Sequence, residues 1–229
     1  MQFMTKQSDV VRALLTCGAI AGPLFVVVFL VEGASRASYN PLRHPVSSLA
    51  LGPFGWMQTA NFIVAGLLMG AFALGLWLTL PSHKGSRAGS WLIAAWGIGL
   101  LAAGTFVTDP VSGYPPGTPD LLLNPTLHGN LHDWFSLAGF LALTASCFVF
   151  SSQFALRGER GWTIYSILTG IFFPIGIALA SIAFSQNASL VAVGGLIQRI
   201  TVTSGWAWLS LLAMHFLKPL QENPKGNNK

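Results

Sequence analysis

The chain has 229 residues, of which 52% are hydrophobic and only 8% charged, with a mean hydropathy of +0.60 and a formal net charge of +5 at pH 7. Soluble domains carry roughly a quarter charged residues, so this composition excludes a water-soluble globular domain and places the chain in a lipid bilayer. The basic balance does not indicate nucleic acid, because the Lys and Arg fall mostly at alternate ends of apolar runs, as membrane insertion produces.

The first apolar run gives a span over about residues 12–31. It is longer than the apolar core of a signal peptide, about 7–15 residues, and reads as a retained span. Ser35-Arg36-Ala37 leaves a weak cleavage site as the alternative. A long connection, Gly33 to Pro53, carries Arg36, Arg43, His44, Ser47 and Ser48. Loops of this length in compact proteins usually do something. Val46, Leu49 and Leu51 make Arg43 to Leu51 a segment expected to fold back over the bundle mouth, with a short helix.

The second span covers about 56–80, where Gly66 and Gly70 form a small-xxx-small pair for close helix approach. A basic turn with Lys84 and Arg87 leads to the third span, about 89–108. That span ends near Asp109, because Pro110 disfavours helical geometry at the residue before it. Val111 to Leu127 is a second long loop, rich in Pro and Gly and lacking Lys or Arg. The fourth span, about 125–154, is expected to start with Asn124 as cap and Pro125 in the first helical position. Thirty residues of helix measure about 45 Å against a hydrocarbon core of about 30 Å, so its first turns stand at the water boundary. The fifth and sixth spans cover about 162–184 and 194–217. Trp56, Trp91, Trp134 and Trp162 fall at span starts, as interfacial anchors do.

The expected fold is thus all-α, a single domain over residues 1–229 that forms a polytopic transmembrane bundle of six helices. Of the twelve Lys and Arg, only Arg36, Arg43 and Arg199 fall on the side of the long loops. Both termini are therefore expected to be cytoplasmic. Cys17 and Cys147 lie inside apolar spans, read as small hydrophobes, and say nothing about redox compartment.

The long-loop side also gathers the unusual polar groups: His44, Ser48, Asp109, His128, His132, Asp133, Gln198 and Arg199. Ionisable groups at membrane depth usually face the bundle interior or a watery cavity. His128 and His132 share one helix face, and such a pair suits Zn²⁺, with His44 or Asp109 as third ligand and water in the open position. Metal-bound water is a nucleophile near neutral pH. Asp109 would then orient or deprotonate that water, and Ser48 would hydrogen-bond the substrate. His-x-x-x-His alone lacks the glutamate of the zincin motif and is a weakly specific signal. The competing reading is structural, with Arg199 paired to Asp133 or Asp109 and locking helices together. Proton or small-molecule transport is a third reading, weakened by the scarcity of ionisable groups in the cytoplasmic halves of the spans. Haem between spans is a fourth, and the histidines do not face each other in mid-bilayer.

Several short pieces carry a family resemblance. They are Tyr39 to Leu49 (YNPLRHPVSSL) before the second span, Thr108-Asp109-Pro110, Leu131-His132-Asp133, and Gly195 to Arg199 (GLIQR). In order and placement the chain resembles the bacterial and archaeal membrane-protein family called domain of unknown function 998. The resemblance covers nearly the whole chain and implies six helices and a multi-pass protein of the cell membrane, with no established activity. A looser likeness to zinc-dependent intramembrane hydrolases related to adiponectin receptors and alkaline ceramidases rests on residue inventory alone, and span count and residue order differ. The expected function is a metal-dependent hydrolase of lipid headgroups or acyl groups, with Arg36 or Arg43 attracting an anionic head. The alternative is a non-enzymatic scaffold or transporter.

Overall fold

A computed structural model describes residues 2–81 and 87–222, with side chains from 9 to 81 and 87 to 218. His83 and Lys84 of the basic turn, and Lys225 and Lys229 of the tail, lie outside the described residues. The described residues form helices α1 (Gln2–Ser35), α2 (Gly55–Thr79), α3 (Ala88–Thr105), α4 (Leu127–Leu156), α5 (Arg160–Phe184) and α6 (Gly194–Glu222), with a 3-10 helix at Val46–Ala50 and no strand among them. All six helices contain a stretch long and apolar enough to cross a membrane. The expected helical spans are present, with ends displaced by a few residues at most places. α1 is longer than its apolar run and begins at Gln2.

The helices pack in a ring in chain order, each on the next, and α1 closes the ring against α6. α6 is the most enclosed: 61% of its spanning window is buried, against 33% for α1 and for α5. Its aromatic side chains reach across the interior. The Trp206 ring lies 5.1 Å from Phe25 of α1 and 5.7 Å from Trp96 of α3, and Trp208 lies 5.9 Å from Phe150 of α4. Such tilted and edge-on aromatic contacts fill a core without requiring parallel stacking.

Small residues set the closest approach of α2 and α3. A Cβ on Gly66 would sit 2.9 Å from the Gly97 carbonyl oxygen, and one on Gly97 would sit 3.0 Å from that of Gly66. Gly70, the other half of the expected pair, has open space where its Cβ would be. The tight contact is thus a Gly66–Gly97 crossing, with Gly70 offering only its backbone. Exposures of 66% for Trp56 and 68% for Trp91 and Trp134 fit their placement as boundary anchors.

The ends of α1, α3 and α5 and the starts of α2, α4 and α6 share one end of the bundle, and both long loops lie there. The first loop folds back as expected. Its 3-10 helix buries Val46, Ser48, Leu49 and Ala50, and Arg36 clamps its exit by donating to the carbonyls of Leu51 (2.9 Å) and Phe54 (2.6 Å). Arg43 ties this loop to the second by donating to the Ser112 carbonyl (3.2 Å) and the Asp120 carboxylate (2.8 Å).

Candidate functional site

A cavity of about 490 Å³ penetrates the bundle from the long-loop end. This lies within the usual range of small-molecule sites, about 300–1,000 Å³. Phe25, Phe62, Trp96, Phe140 and Trp206 supply its aromatic walls. Its polar lining comes from Ser47, Asp109, His132, Asp133, Ser136 and Gln198. Exposed residues of α4 (Asp133 and Leu137) and of α5 (Ser181) also line it. The cavity therefore opens sideways between these two helices, beside Leu121 and Leu122 of the second loop.

The mouth is organised by the start of α4. The cap is Thr126, not the expected Asn124, and the helix begins at Leu127, not Pro125. Asp109 explains the shift. Its carboxylate accepts from the Thr126 backbone N–H (2.8 Å) and the Thr126 hydroxyl (2.7 Å), while the Thr126 hydroxyl oxygen accepts from the Gly129 N–H (3.0 Å). A negative charge at a helix N-terminus is also favoured by the helix dipole. Asp109 is thus committed to holding α4 against the end of α3 while one side of it faces the cavity. Gly129 makes room, since a Cβ there would lie 2.1 Å from an Asp109 carboxylate oxygen.

His132 is buried, and its Nδ1 faces two carbonyl oxygens at the end of α3, Ala103 (3.2 Å) and Phe106 (2.8 Å). Carbonyls only accept, so Nδ1 carries the proton. In the neutral ring Nε2 is then the acceptor. His128, one turn earlier, is exposed and rests edge-on against Phe106, with ring centroids 5.7 Å apart. The Phe106 residue thus meets both histidines and holds them apart in role.

The expected metal set does not assemble. His44 belongs to the first loop, where its Nδ1 accepts from the Asn40 N–H (2.9 Å) and its ring packs on Tyr39 and Tyr114. Burial holds its pKa below the usual imidazole value. Among the described residues no group of three His, Cys, Asp or Glu side chains is placed to hold a metal ion. Ser48 is fully buried on the inner side of the 3-10 helix and does not line the cavity; its neighbour Ser47 does.

Arg199 does not pair with Asp133 or Asp109 as expected. Its guanidinium donates to the carbonyls of Pro41, His44 (2.9 Å) and Gly195 (3.0 Å) and to the Tyr39 hydroxyl. Tyr39 in turn donates to the Pro45 carbonyl (2.7 Å), and burial pushes its pKa up to about 12, so the hydroxyl stays protonated. Leu196 N–H donates to the Leu42 carbonyl (3.0 Å), and Gln198 accepts from the Val46 N–H (2.7 Å). The first turns of α6 are therefore the dock for the first loop. Arg36 and Arg43, expected as headgroup attractors, are likewise committed to carbonyls and carboxylates and do not line the cavity.

Trp96, Trp206 and Ser136 are cavity residues that sequence reasoning missed. Trp96 and Trp206 stand in mid-span rather than at the boundary, which is the signal that sets them apart from the four anchors. In comparisons with known proteins, a family model described as protein of unknown function (DUF998) matches residues 19–215. No curated protein and no solved structure matches the chain.

Proposed function

Because the chain belongs to the DUF998 family of proteins of unknown function, its activity has to be argued from the site, and we propose that it binds a single-chain amphiphile with an uncharged, hydrogen-bond-donating head. The observation that carries this reading is the cavity of about 490 Å³, apolar along its length and rich in acceptors at one end. Asp109, Asp133 and, in the neutral ring, the Nε2 of His132 are acceptors, and among the described residues no Lys or Arg lines the space. A hydroxyl head donates its one proton to one of them. An anionic head would meet two carboxyl groups, and the juxtaposition of like charges disfavours it. The lateral opening between α4 and α5 gives a lipid chain an entry path from the bilayer.

In this reading the protein is an integral membrane protein with both termini cytoplasmic and the cavity opening toward the extracytoplasmic leaflet. Arg12, Arg87, Arg157, Arg160 and Lys218 flank the helix ends opposite the cavity mouth. The three arginines at the mouth end are committed to carbonyls, a hydroxyl or carboxylates, which sharpens the positive-inside asymmetry. Hydrolysis through zinc would need a third ligand beside His128 and His132, and the proposal therefore rests at binding.

The test is equilibrium binding of a long-chain fatty alcohol against the fatty acid of equal length, near neutral pH, to purified protein in nanodiscs. The alcohol should bind at least about tenfold tighter, and Asp133→Asn should narrow the gap. Equal binding of the acid, or no binding of either, would contradict the proposal.

A further inference from the structure

Two helices present matching ladders to the cavity. His132, Ser136 and Phe140 of α4 line it, and so do Gln198, Val202 and Trp206 of α6. Within each set the residues stand four apart, so each set lies on one helix face. α4 and α6 both start at the long-loop end and run the same way. Trp96 of α3 joins the lower ends, with its ring centroid 5.7 Å from those of both Phe140 and Trp206. His132 and Gln198 stand two rungs up their ladders, each about 12 Å nearer the mouth at 1.5 Å per residue. They therefore flank the head of a bound amphiphile at one level. Their chemistry is opposite. The Nε2 of neutral His132 accepts. Gln198 is half-buried, and its Oε1 accepts from the Val46 N–H at 2.7 Å, which fixes the orientation of the amide. The N–H groups on its Nε2 donate to no acceptor among the described residues, and neighbouring atoms do not enclose them.

Resting on the amphiphile-binding reading, we propose that the ligand is an acyl compound, in which a carbonyl joins the hydroxylated head to the chain and accepts from the Gln198 amide. The head hydroxyl then donates on the α4 side, to His132 or Asp133, and the carbonyl accepts on the α6 side. In a monoacyl ester or amide of a small polyol these two groups lie a few bonds apart, which suits a donor and acceptors held at one level. An alkyl ether of the same head has the hydroxyls but lacks the carbonyl, and leaves the Gln198 N–H groups without that partner. The chain below the carbonyl meets Val202, Phe140 and the Trp206 ring. The Val46 bond has a second consequence. It holds the Gln198 side chain in place before any ligand arrives, so little side-chain freedom is lost on binding.

The experiment compares a 1-monoacylglycerol with the 1-O-alkylglycerol of equal chain length, each radiolabelled, on wild type, Gln198→Glu and Gln198→Met in nanodiscs. The two probes share head and chain and differ in the ester carbonyl. At about pH 8, well above the ordinary carboxyl range, Gln198→Glu keeps an acceptor for the Val46 N–H and removes the N–H donors. Gln198→Met removes both. Wild type should prefer the ester by about fivefold to tenfold, the worth of one hydrogen bond. Each variant should lose most of that preference while still binding the ether. If both probes bind wild type equally, this proposal falls while the amphiphile reading stands. A preference that survives in Gln198→Met overturns it, because methionine has no donor. A preference lost in Gln198→Met but kept in Gln198→Glu also overturns it, because the Val46 bond and not the donor would then be the cause. Should neither probe bind wild type, the amphiphile reading itself fails. The wild-type comparison and the second variant keep the result decisive if one variant does not fold.

Discussion

Replacing Arg199 probes the joint between the first loop and α6 most sharply. The guanidinium is 7% exposed and donates to three backbone carbonyls and a tyrosine hydroxyl. Hydrogen bonds to charged groups contribute about 1.5–3 kcal/mol each, and they do not simply add because all share one side chain. Arg199→Met keeps the length and removes every donor, which strands the Pro41 and His44 carbonyls in a dry setting. The expected loss is about 3–5 kcal/mol, the range for breaking a buried charged network. For a chain of this size that lowers Tm by about 6–20 °C. Cys147 is fully buried, so its reaction with a fluorogenic maleimide during heating reports unfolding, with Cys17 replaced to remove background. Arg199→Lys should recover only part of the loss, because an ammonium cannot match a planar fork. A double-mutant cycle with Tyr39→Phe should show coupling of about 1 kcal/mol or more. A loss under about 0.5 kcal/mol for Arg199→Met, or strict additivity with Tyr39→Phe, would refute the reasoning.

Two further outcomes follow from the mouth. Gly129→Ala should push the Asp109 carboxylate off Thr126 and fray the start of α4, at a cost of about 1–3 kcal/mol; hydrogen exchange at residues 126–132 that matches wild type would contradict it. His44 has a folded pKa below its ordinary 6.5, with burial as the main cause, the Arg43 and Arg199 charges adding to it and Asp120 opposing. The unfolded chain therefore binds the proton more readily, so stability is full above about pH 6.5 and falls as pH drops through and below it. Thermal melts from about pH 7.5 to about pH 5 should show that decline, and His44→Gln should flatten it; an identical slope in the variant would exclude His44 as its source.

The spans were legible because apolar runs of crossing length leave few alternatives in a bilayer. The folded-back first loop was legible for the same reason, through Val46 and Leu49. The start of α4 was misjudged by local capping chemistry: Asn124-Pro125 is a good cap signal, but Asp109, distant in sequence, selects Thr126. Arg199 was expected to need an acid, since a buried charge needs a partner. Backbone carbonyls of a loop about 155 residues away met that need, and no periodicity announces such a dock. His128 and His132 share a face as their spacing requires, yet only His132 turns inward, because the last carbonyls of α3 accept its Nδ1 proton. The cavity arises between helices, from what Ala103, Ala180 and Gly99 do not fill, and single-chain patterning carries no record of it.

Photo-crosslinking tests the central claim most directly. A fatty alcohol with a diazirine in its chain would be irradiated with the protein in nanodiscs, and adducts mapped by mass spectrometry. Binding in the cavity predicts adducts at lining positions such as Phe140, Ile177 and Val202, suppressed by excess unmodified alcohol. Adducts confined to outward-facing residues such as Leu30, Leu168 and Ile200, insensitive to competitor, would mean that the lipid only coats the bundle and that the cavity does not bind it.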